Sequence, residues 1–385
     1  MRSLGVLAVL LLVGGRAGAA TIDVPGSYPT ITLAVANASP GDTVLVTGGP
    51  YHEWDLELPP GTTLRAPGYA SVKIDALQQG RHFTLVGEEA SYTIEGFLLT
   101  GGEEGAGACI HSGSSRVELT VRRCVFRGNA STGSAGAIWV NGSRSTLRIE
   151  NATFEDNVAE HAAGAIWLDG QTSGSTLYVE NTSFARNQAQ GDAGGAMRLG
   201  ARVDGTFYNV SFRDNTAAGN GGAFYASGWC DLVFQRGLFS GNAGHTGDDF
   251  RISETQVQVA DSDFVGGWNE VEATSELALV CCNFLEGAEP QTWGEDVFVY
   301  SDGCDPTGGI EATPGPVALS APTARPNPFN PRTTIAFRTS APGHVRLEIL
   351  DLRGRRIAVL VDRELGAGRH AWVWDGRDGD GRAVP

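Results

Sequence analysis

The feature that most constrains the fold is a phenylalanine that recurs at a nearly constant interval, each time followed three residues later by an asparagine. The phenylalanines are Phe126, Phe154, Phe184, Phe212 and Phe239, and the asparagines are Asn129, Asn157, Asn187, Asn215 and Asn242. The phenylalanines are separated by 28, 30, 28 and 27 residues. A repeat of one unit at such a period is typical of solenoid proteins, in which each unit packs only against its neighbours.

Each repeat also carries a strand pattern upstream of its phenylalanine. In the second repeat, Leu147 and Ile149 precede Phe154, and polar residues alternate with them. Alternation of period two predicts a β-strand with one apolar face. One repeat before Phe126, Leu99 takes the place of the phenylalanine. We therefore expect rungs of β-structure that stack about 4.8 Å apart, bury the apolar face and pair their backbones.

The repeated phenylalanine and asparagine columns are predicted to be architecture rather than catalytic groups. Phenylalanines at equivalent positions of successive rungs would stack in the core. The asparagines would form a ladder of amide hydrogen bonds from rung to rung. Asparagine also tolerates the left-handed backbone conformation that a tight corner requires.

A second repeated segment, typified by Gly164-Ala165-Ile166-Trp167, predicts an outward-facing row. Residues two and four positions after the glycine are apolar and face the core, so the residue between them faces outward. These outward residues are Trp139, Trp167, Arg198, Tyr225 and Arg251. Aromatic rings stack on sugars and arginines pair with carboxylates or sulfates, so the row is a candidate glycan-binding strip. The alternative is a row that a loop covers or that only pads the outer sheet.

The segment HTGDDFRI at 245–252 departs from the repeat, because Asp248 and Asp249 replace its glycine and alanine. Paired carboxylates beside His245 and Arg251 could perform general acid and base chemistry on a glycoside, or bind Ca²⁺. Asp248, Asp249 and His245 are therefore the catalytic candidates, and no other cofactor is predicted. The alternative is a corner variant near the end of the repeats.

Six cysteines permit disulfide bonds if the protein is exported. Cys109 with Cys124, and Cys281 or Cys282 with Cys304, are the local pairs. The cysteines lack the CxxC spacing of a zinc site, so we predict no bound metal at these residues.

The N-terminal residues 1–20 predict a secretory signal peptide. A basic start precedes an apolar run at 4–13, which is too short for a typical membrane span. Since no later apolar run is long enough either, we expect no transmembrane segment in the mature chain. The net charge of −16 argues against nucleic acid as a partner.

The repeats resemble those of chlamydial-type polymorphic outer-membrane proteins. The matching units are FRGN…AGAI, FEDN…AGAI, FARN…GGAM and FRDN…GGAF, within roughly 126–250. The resemblance implies a right-handed parallel β-helix and a role in surface adhesion. The segment that begins TIDVPGSYPTITLAVA is similar to the start of many secreted β-helix proteins, including the pectate-lyase-like group. That similarity implies a short helix at 28–38 that covers the open end of the solenoid.

The C-terminal sequence resembles the sorting or FlgD-like immunoglobulin-type module of bacterial secreted proteins. Its recurring elements are PNPFNP at 326–331, DLRGR at 351–355 and WDGRDGDG at 374–381. The resemblance implies export across an outer membrane, with the secretion machinery as a partner, and attachment to the cell surface. In the family a final strand follows the G-R-x-V-P segment, where this sequence ends, so we expect an incomplete module.

Together these patterns predict an all-β protein with four parts. These are a signal peptide at 1–20, a right-handed parallel β-helix at 21–310, a linker at 311–325 and an incomplete immunoglobulin-like β-sandwich at 326–385. The predicted function is that of an exported bacterial cell-surface protein that binds extracellular polysaccharide or host glycans without catalysis, as in adhesion. The alternative is a polysaccharide lyase or glycoside hydrolase, because one scaffold supports many chemistries.

Overall fold

The chain divides into two compact units, with the boundary between Cys304 and Asp305. The computed structural model describes residues 19–266, 268–271, 275–280, 282–285, 289–292, 299–302, 323–325, 333–339, 343–350, 356–365 and 368–377. The predicted signal peptide lies almost wholly outside the described residues, as do the turn at 351–355 and most of the linker. The predicted domain boundaries therefore stay predictions.

The first unit consists of short strands that form three parallel sheets within the described residues. The long sheet contains Thr21–Val24, Thr43–Val46, Thr63–Arg65, Val72–Asp75, Ser91–Glu95, Phe97–Thr100, Glu118–Arg122, Val125–Arg127, Thr146–Glu150, Thr153–Glu155, Ser175–Ala185, Val203–Arg213, Asp231–Gln235, Leu238–Ser240, Gln256–Ala260, Asp263–Val265, Glu276–Val280, Asn283–Leu285 and Val299–Asp302. The second sheet contains Leu56–Leu58, Phe83–Leu85, Ile110–Ser112, Ile138–Asn141, Ile166–Asp169, Met197–Leu199, Phe224–Ser227, Phe250–Ser253, Trp268–Val271 and Glu289–Thr292. The short sheet contains Glu103–Ala106, Ala130–Ser134, Val158–Ala159, Gln188–Ala189 and Thr216–Ala217.

Equivalent residues of successive rungs pair in register. Phe126 pairs with Phe154, Phe154 with Phe184, and Phe184 with Phe212. Leu99 pairs with Phe126, as the spacing predicted. The paired phenylalanine rings stack with centroids 4.5 to 4.9 Å apart and are fully buried. The predicted parallel β-helix is confirmed, because the apolar strand faces line one continuous core.

The repeated asparagines form a hydrogen-bonded ladder inside one corner of the rungs. Nδ2 of Asn157 donates to Oδ1 of Asn187 at 2.9 Å and to the carbonyl oxygen of Phe126 at 3.0 Å. Oδ1 of Asn157 accepts from the backbone nitrogen and from Nδ2 of Asn129, at 3.2 and 2.9 Å. The same set recurs at Asn187 and Asn215. Because the side chains are buried, the ladder satisfies polar groups that water cannot reach.

The left-handed backbone conformation occurs at residues other than the ladder asparagines. Among the residues that adopt it are those immediately before the ladder asparagines, namely Gly128, Asp156, Arg186, Asp214 and Gly241. A second left-handed column contains Asn151, Asn181 and Asn209, with φ values of 53°, 49° and 54°. The prediction that the ladder asparagines themselves take this conformation is wrong, because the preceding residue makes the corner and the asparagine supplies its amide to the ladder.

The predicted disulfide between Cys109 and Cys124 is also wrong. Both residues are free thiols and fully buried. Cys109 immediately precedes a strand of the second sheet and Cys124 immediately precedes one of the long sheet, so each packs into the core as a small apolar residue. Burial raises the pKa of Cys124 to about 12. The second predicted pair, Cys281 or Cys282 with Cys304, stays a prediction, because Cys281 and Cys304 lie outside the described residues.

A short helix, Ile31–Ala36, lies within the range predicted for the capping helix. The carboxylate of Glu53 accepts hydrogen bonds from the backbone nitrogens of Ile31 and Thr32, at 2.9 and 2.7 Å. These contacts satisfy two of the donors that a helix leaves free in its first turn. The role of this helix as a cap stays a prediction. Among the described residues, no helix has the length and apolar character that crossing a membrane requires.

The second unit contains antiparallel strands. Thr323–Arg325, Thr333–Thr339 and Gly368–Trp374 form one sheet, and Gly343–Leu350 pairs with Arg356–Leu365. Leu347 and Trp372, which belong to different sheets, both pack against the buried Val361. The two sheets therefore share a small core. Its assignment as an immunoglobulin-type module stays a prediction.

Candidate functional site

The predicted strip lies on the outer face of the second sheet. Parallel pairing places Trp139 beside Trp167, Trp167 beside Arg198, Arg198 beside Tyr225, and Tyr225 beside Arg251. The residues that flank each of them within its strand are buried in the core, whereas the five strip side chains are half-buried. No loop of the described part of the chain covers the strip completely, so its outer edge is accessible to a ligand.

The rings and cations of the strip contact one another. His111, which sequence reasoning missed, pairs with Trp139, and the two rings stack with centroids 4.6 Å apart. The guanidinium carbon of Arg198 lies 4.6 Å from the ring centroid of Trp167 and 5.3 Å from that of Tyr225. These are cation–π contacts. Because they occupy ring faces, the strip presents mainly ring edges and guanidinium N–H groups outward.

Acidic and polar side chains hold the two arginines of the strip. NH1 of Arg198 lies 2.6 Å from a carboxylate oxygen of Asp192. Nε of Arg251 lies 3.6 Å from Glu270, and its NH1 donates to Oγ1 of Thr246 at 3.0 Å. Each guanidinium is thus fixed in orientation before any ligand arrives, which lowers the entropy that binding would cost.

His111, which lies beside the strip, and Trp167 within it both have unusual electrostatic surroundings. Burial, and then the positive charge of Arg81, lower the pKa of His111 to about 4, so its ring is neutral at pH 7. The indole N–H of Trp167 is buried and has no acceptor among the described residues. A buried donor without an acceptor is costly, and a ligand oxygen would satisfy it if the neighbouring side chains moved.

The catalytic candidates do not form a converging pair. Asp249 is fully buried, and its Oδ1 accepts from Nδ2 of Asn242 at 3.0 Å. Burial, opposed by this hydrogen bond and reinforced by the charge of Asp248, raises the pKa of Asp249 to about 7. Asp248 is half-buried and His245 is exposed. Since Asp249 faces the core, it can share neither a substrate nor an accessible Ca²⁺ ion with Asp248.

Asp249 instead ends the asparagine ladder. Asn242 is the last ladder asparagine, and the next phenylalanine, Phe264, is followed three residues later by a glycine. Asp249 supplies the acceptor that the next asparagine would have supplied. Within the part of the chain that the structure describes, no three histidine, cysteine, aspartate or glutamate side chains group as a metal site.

Residues 76–264 match the family described as right handed beta helix region. The matched segment is a right-handed parallel β-helix, and it includes every residue of the strip and of the ladder.

One solved structure resembles the chain at low identity. The A-module of a mannuronan C-5 epimerase from Azotobacter vinelandii is similar at 14% identity, over 72% of this chain and 96% of that chain, with a TM-score of 0.27. A likeness at this level identifies no shared site. No curated protein sequence matches the chain.

Two surface features of the β-helix were missed by sequence reasoning. Trp229 is 66% exposed in a turn after the second-sheet strand, with the guanidinium carbon of Arg202 5.6 Å from its ring centroid. A tryptophan between glycine and cysteine in a turn was the only signal for it. The second feature is the row of exposed amides in the second left-handed column, at Asn151, Asn181 and Asn209.

Proposed function

We propose that this is an exported cell-surface β-helix protein that binds extracellular glycans through the strip and does not catalyse a reaction. The observation that carries the proposal is the position of Arg198. Its guanidinium is held between Trp167 and Tyr225, with Trp139 one rung further along. Binding sites combine apolar and aromatic surface with a few oriented polar groups, and the strip offers ring edges beside oriented guanidinium N–H groups along several rungs.

The burial of Asp249 supports binding rather than catalysis. A glycosidase requires two carboxyl groups that both reach the substrate, and in the segment 245–252 only Asp248 is accessible. Adhesion is the biological role that fits such a surface. Export is proposed from the predicted signal peptide and from the resemblance of the C-terminal module to sorting modules.

The test is a screen of the purified protein against a polysaccharide panel, scoring binding and product release together. We expect binding without release of products. Changing Trp139 and Trp167 to alanine together should weaken binding by about tenfold or more, because two aromatic contacts are worth about 0.5–1.5 kcal/mol each beyond their buried area. Arg198→Gln, which leaves both rings in place, should also weaken it.

Trp229→Ala is the matched control, because it removes an exposed tryptophan from a different surface. Unchanged binding in the double variant and in Arg198→Gln, with the melting temperature preserved, contradicts the proposal. Release of oligosaccharide products would favour a lyase or hydrolase instead.

A further inference from the structure

A polar groove runs along the outside of the long sheet where that sheet bends. The bend occurs at the left-handed residues Asn151, Asn181 and Asn209, all of which are exposed. The groove has a volume of about 500 Å³ and spans the rungs that contain them. We call it the bend groove. It lies on a different sheet from the strip and shares no residue with it.

The floor of the bend groove carries two parallel rows of hydrogen-bonding groups. Nδ2 of Asn209 donates to Oδ1 of Asn181 at 2.7 Å, and the hydroxyl of Ser211 lies 3.1 Å from that of Ser183. The side-chain amide of Asn151 has no partner among the described residues. Because rungs stack about 4.8 Å apart, amides and hydroxyls recur at a regular spacing, which suits a chain of hydroxylated units.

A loop forms the wall at one end of the bend groove. The hydroxyl of Tyr69 lies 2.9 Å from Oγ1 of Thr153, and its side chain is 53% exposed. The backbone nitrogen of Ala70 donates to the carbonyl oxygen of Arg123 at 2.9 Å. The loop fits closely against Gly96, where an added Cβ would lie 2.5 Å from the carbonyl oxygen of Gly68. These contacts anchor the backbone of the loop, and the hydroxyl contact places the ring of Tyr69 at the wall of the groove.

Two arginines line the opposite part of the bend groove. Arg213 and Arg236 are exposed, and neither forms an ion pair with another described residue. NH1 of Arg236 donates to the hydroxyl of Tyr208 at 2.7 Å, a contact that leaves its charge uncompensated. In contrast, Arg186 pairs with both Glu155 and Asp156. Uncompensated guanidinium groups beside a polar groove favour a ligand that carries oxyanions.

We propose that the bend groove binds an acidic glycan, a polyhydroxylated chain that bears carboxylate or sulfate groups. The anionic groups pair with Arg213 and Arg236, the asparagines and serines bond the hydroxyls, and the ring of Tyr69 packs against a sugar face. The proposal shares its ligand class with the proposed function, but it rests on separate residues and is tested separately.

The test measures the affinity of the full chain for oligogalacturonate, dextran sulfate and neutral dextran. We expect the two anionic probes to bind more tightly than neutral dextran and to weaken as salt concentration rises. Arg213→Gln and Arg236→Gln should each raise Kd for an anionic probe by about tenfold, the usual loss for one charge-assisted contact. A preference for oligogalacturonate or for dextran sulfate identifies the anionic group.

Arg144→Gln is the matched control, because Arg144 is also exposed, has a left-handed backbone and forms no ion pair with a described residue. It should leave the affinity within twofold of the wild type. Glu180 accepts from Asn181 at 3.3 Å, so Glu180→Gln removes a repelling carboxylate at the groove and should strengthen binding of the anionic probes.

The proposal is overturned if Arg213→Gln and Arg236→Gln weaken binding no more than Arg144→Gln does. The variant with alanine at positions 139 and 167 separates this outcome from failure of the proposed function. If the strip is not a glycan site, that variant binds every probe like the wild type while the two arginine variants still lose affinity. If only the bend groove is not a glycan site, the variant at 139 and 167 loses affinity and the two arginine variants bind like Arg144→Gln.

Discussion

Replacement of Asp249 by asparagine should make the protein more stable at neutral and alkaline pH. In the wild type the carboxyl group is fully buried, and only its Oδ1 has a hydrogen-bond partner, Asn242. An ionised carboxylate there lacks the solvation and the paired charge that make a buried ion tolerable. An asparagine keeps the acceptor for Asn242 and carries no charge at any pH.

The magnitude follows from the difference in pKa between the unfolded and folded states. Burial raises the pKa of Asp249 from 3.8 to about 7, and a pKa difference of one corresponds to about 1.4 kcal/mol. The folded-state pKa lies above the unfolded value, so the stability that this group contributes is fully present below pH 4. It is lost as pH rises from about 4 to 7, and above pH 7 the total loss is about 4 kcal/mol, an upper bound on what Asp249→Asn recovers.

The assay is denaturant unfolding between pH 4.5 and 8.5, followed by tryptophan fluorescence, for wild type and Asp249→Asn. The difference between wild type and variant cancels the contribution of His82 and His111, whose pKa values burial lowers to about 4. We expect the stability advantage of Asp249→Asn to grow with pH and to level off above pH 7. Parallel pH curves for wild type and Asp249→Asn would refute the reasoning.

Two further predictions concern the core. Asn187→Ala should lower the free energy of unfolding by about 3 kcal/mol, because the backbone nitrogen and Nδ2 of the buried Asn157 both lose Oδ1 of Asn187 as their acceptor. Chemical denaturation measures this, and a loss below about 1 kcal/mol contradicts the ladder as a source of stability. Cys109 and Cys124 should react with a thiol reagent only after denaturation, since burial raises the pKa of both thiols and blocks access. Intact-mass analysis counts the labels. If these two thiols resist labelling in the denatured, unreduced protein, they form a disulfide.

The core of the β-helix was predictable because its environment repeats. Phe154 and Asn157 meet the same neighbours, one rung above and one below, as their counterparts in other repeats. A residue type that recurs in phase therefore reports a recurring environment. The inward faces, the stacked rings and the amide ladder follow from that phase alone.

The outward surfaces were less predictable because their neighbours do not repeat. The strip was located correctly by alternation, yet the contact of Arg198 with Asp192 depends on a loop that has no fixed phase. The wall of the bend groove is a loop from a rung far earlier in the chain, whose Tyr69 reaches Thr153 across 84 residues of sequence. No local sequence pattern predicts such a contact. The exposure of Trp229 is likewise not predicted by any local pattern.

The segment 245–252 shows how a departure from a repeat should be interpreted. A ladder of identical amides ends with a donor that has no acceptor, and burying that donor unpaired would cost about 1–3 kcal/mol. The phenylalanine column continues past the ladder while the asparagine column stops, and on the last ladder rung an aspartate replaces the alanine of the other repeats. The two departures compensate each other: Asp249 accepts from Asn242 in place of the absent amide. An acidic residue that breaks a solenoid repeat is therefore a candidate ladder terminator before it is a candidate catalyst, and only the burial of its side chain distinguishes the two roles.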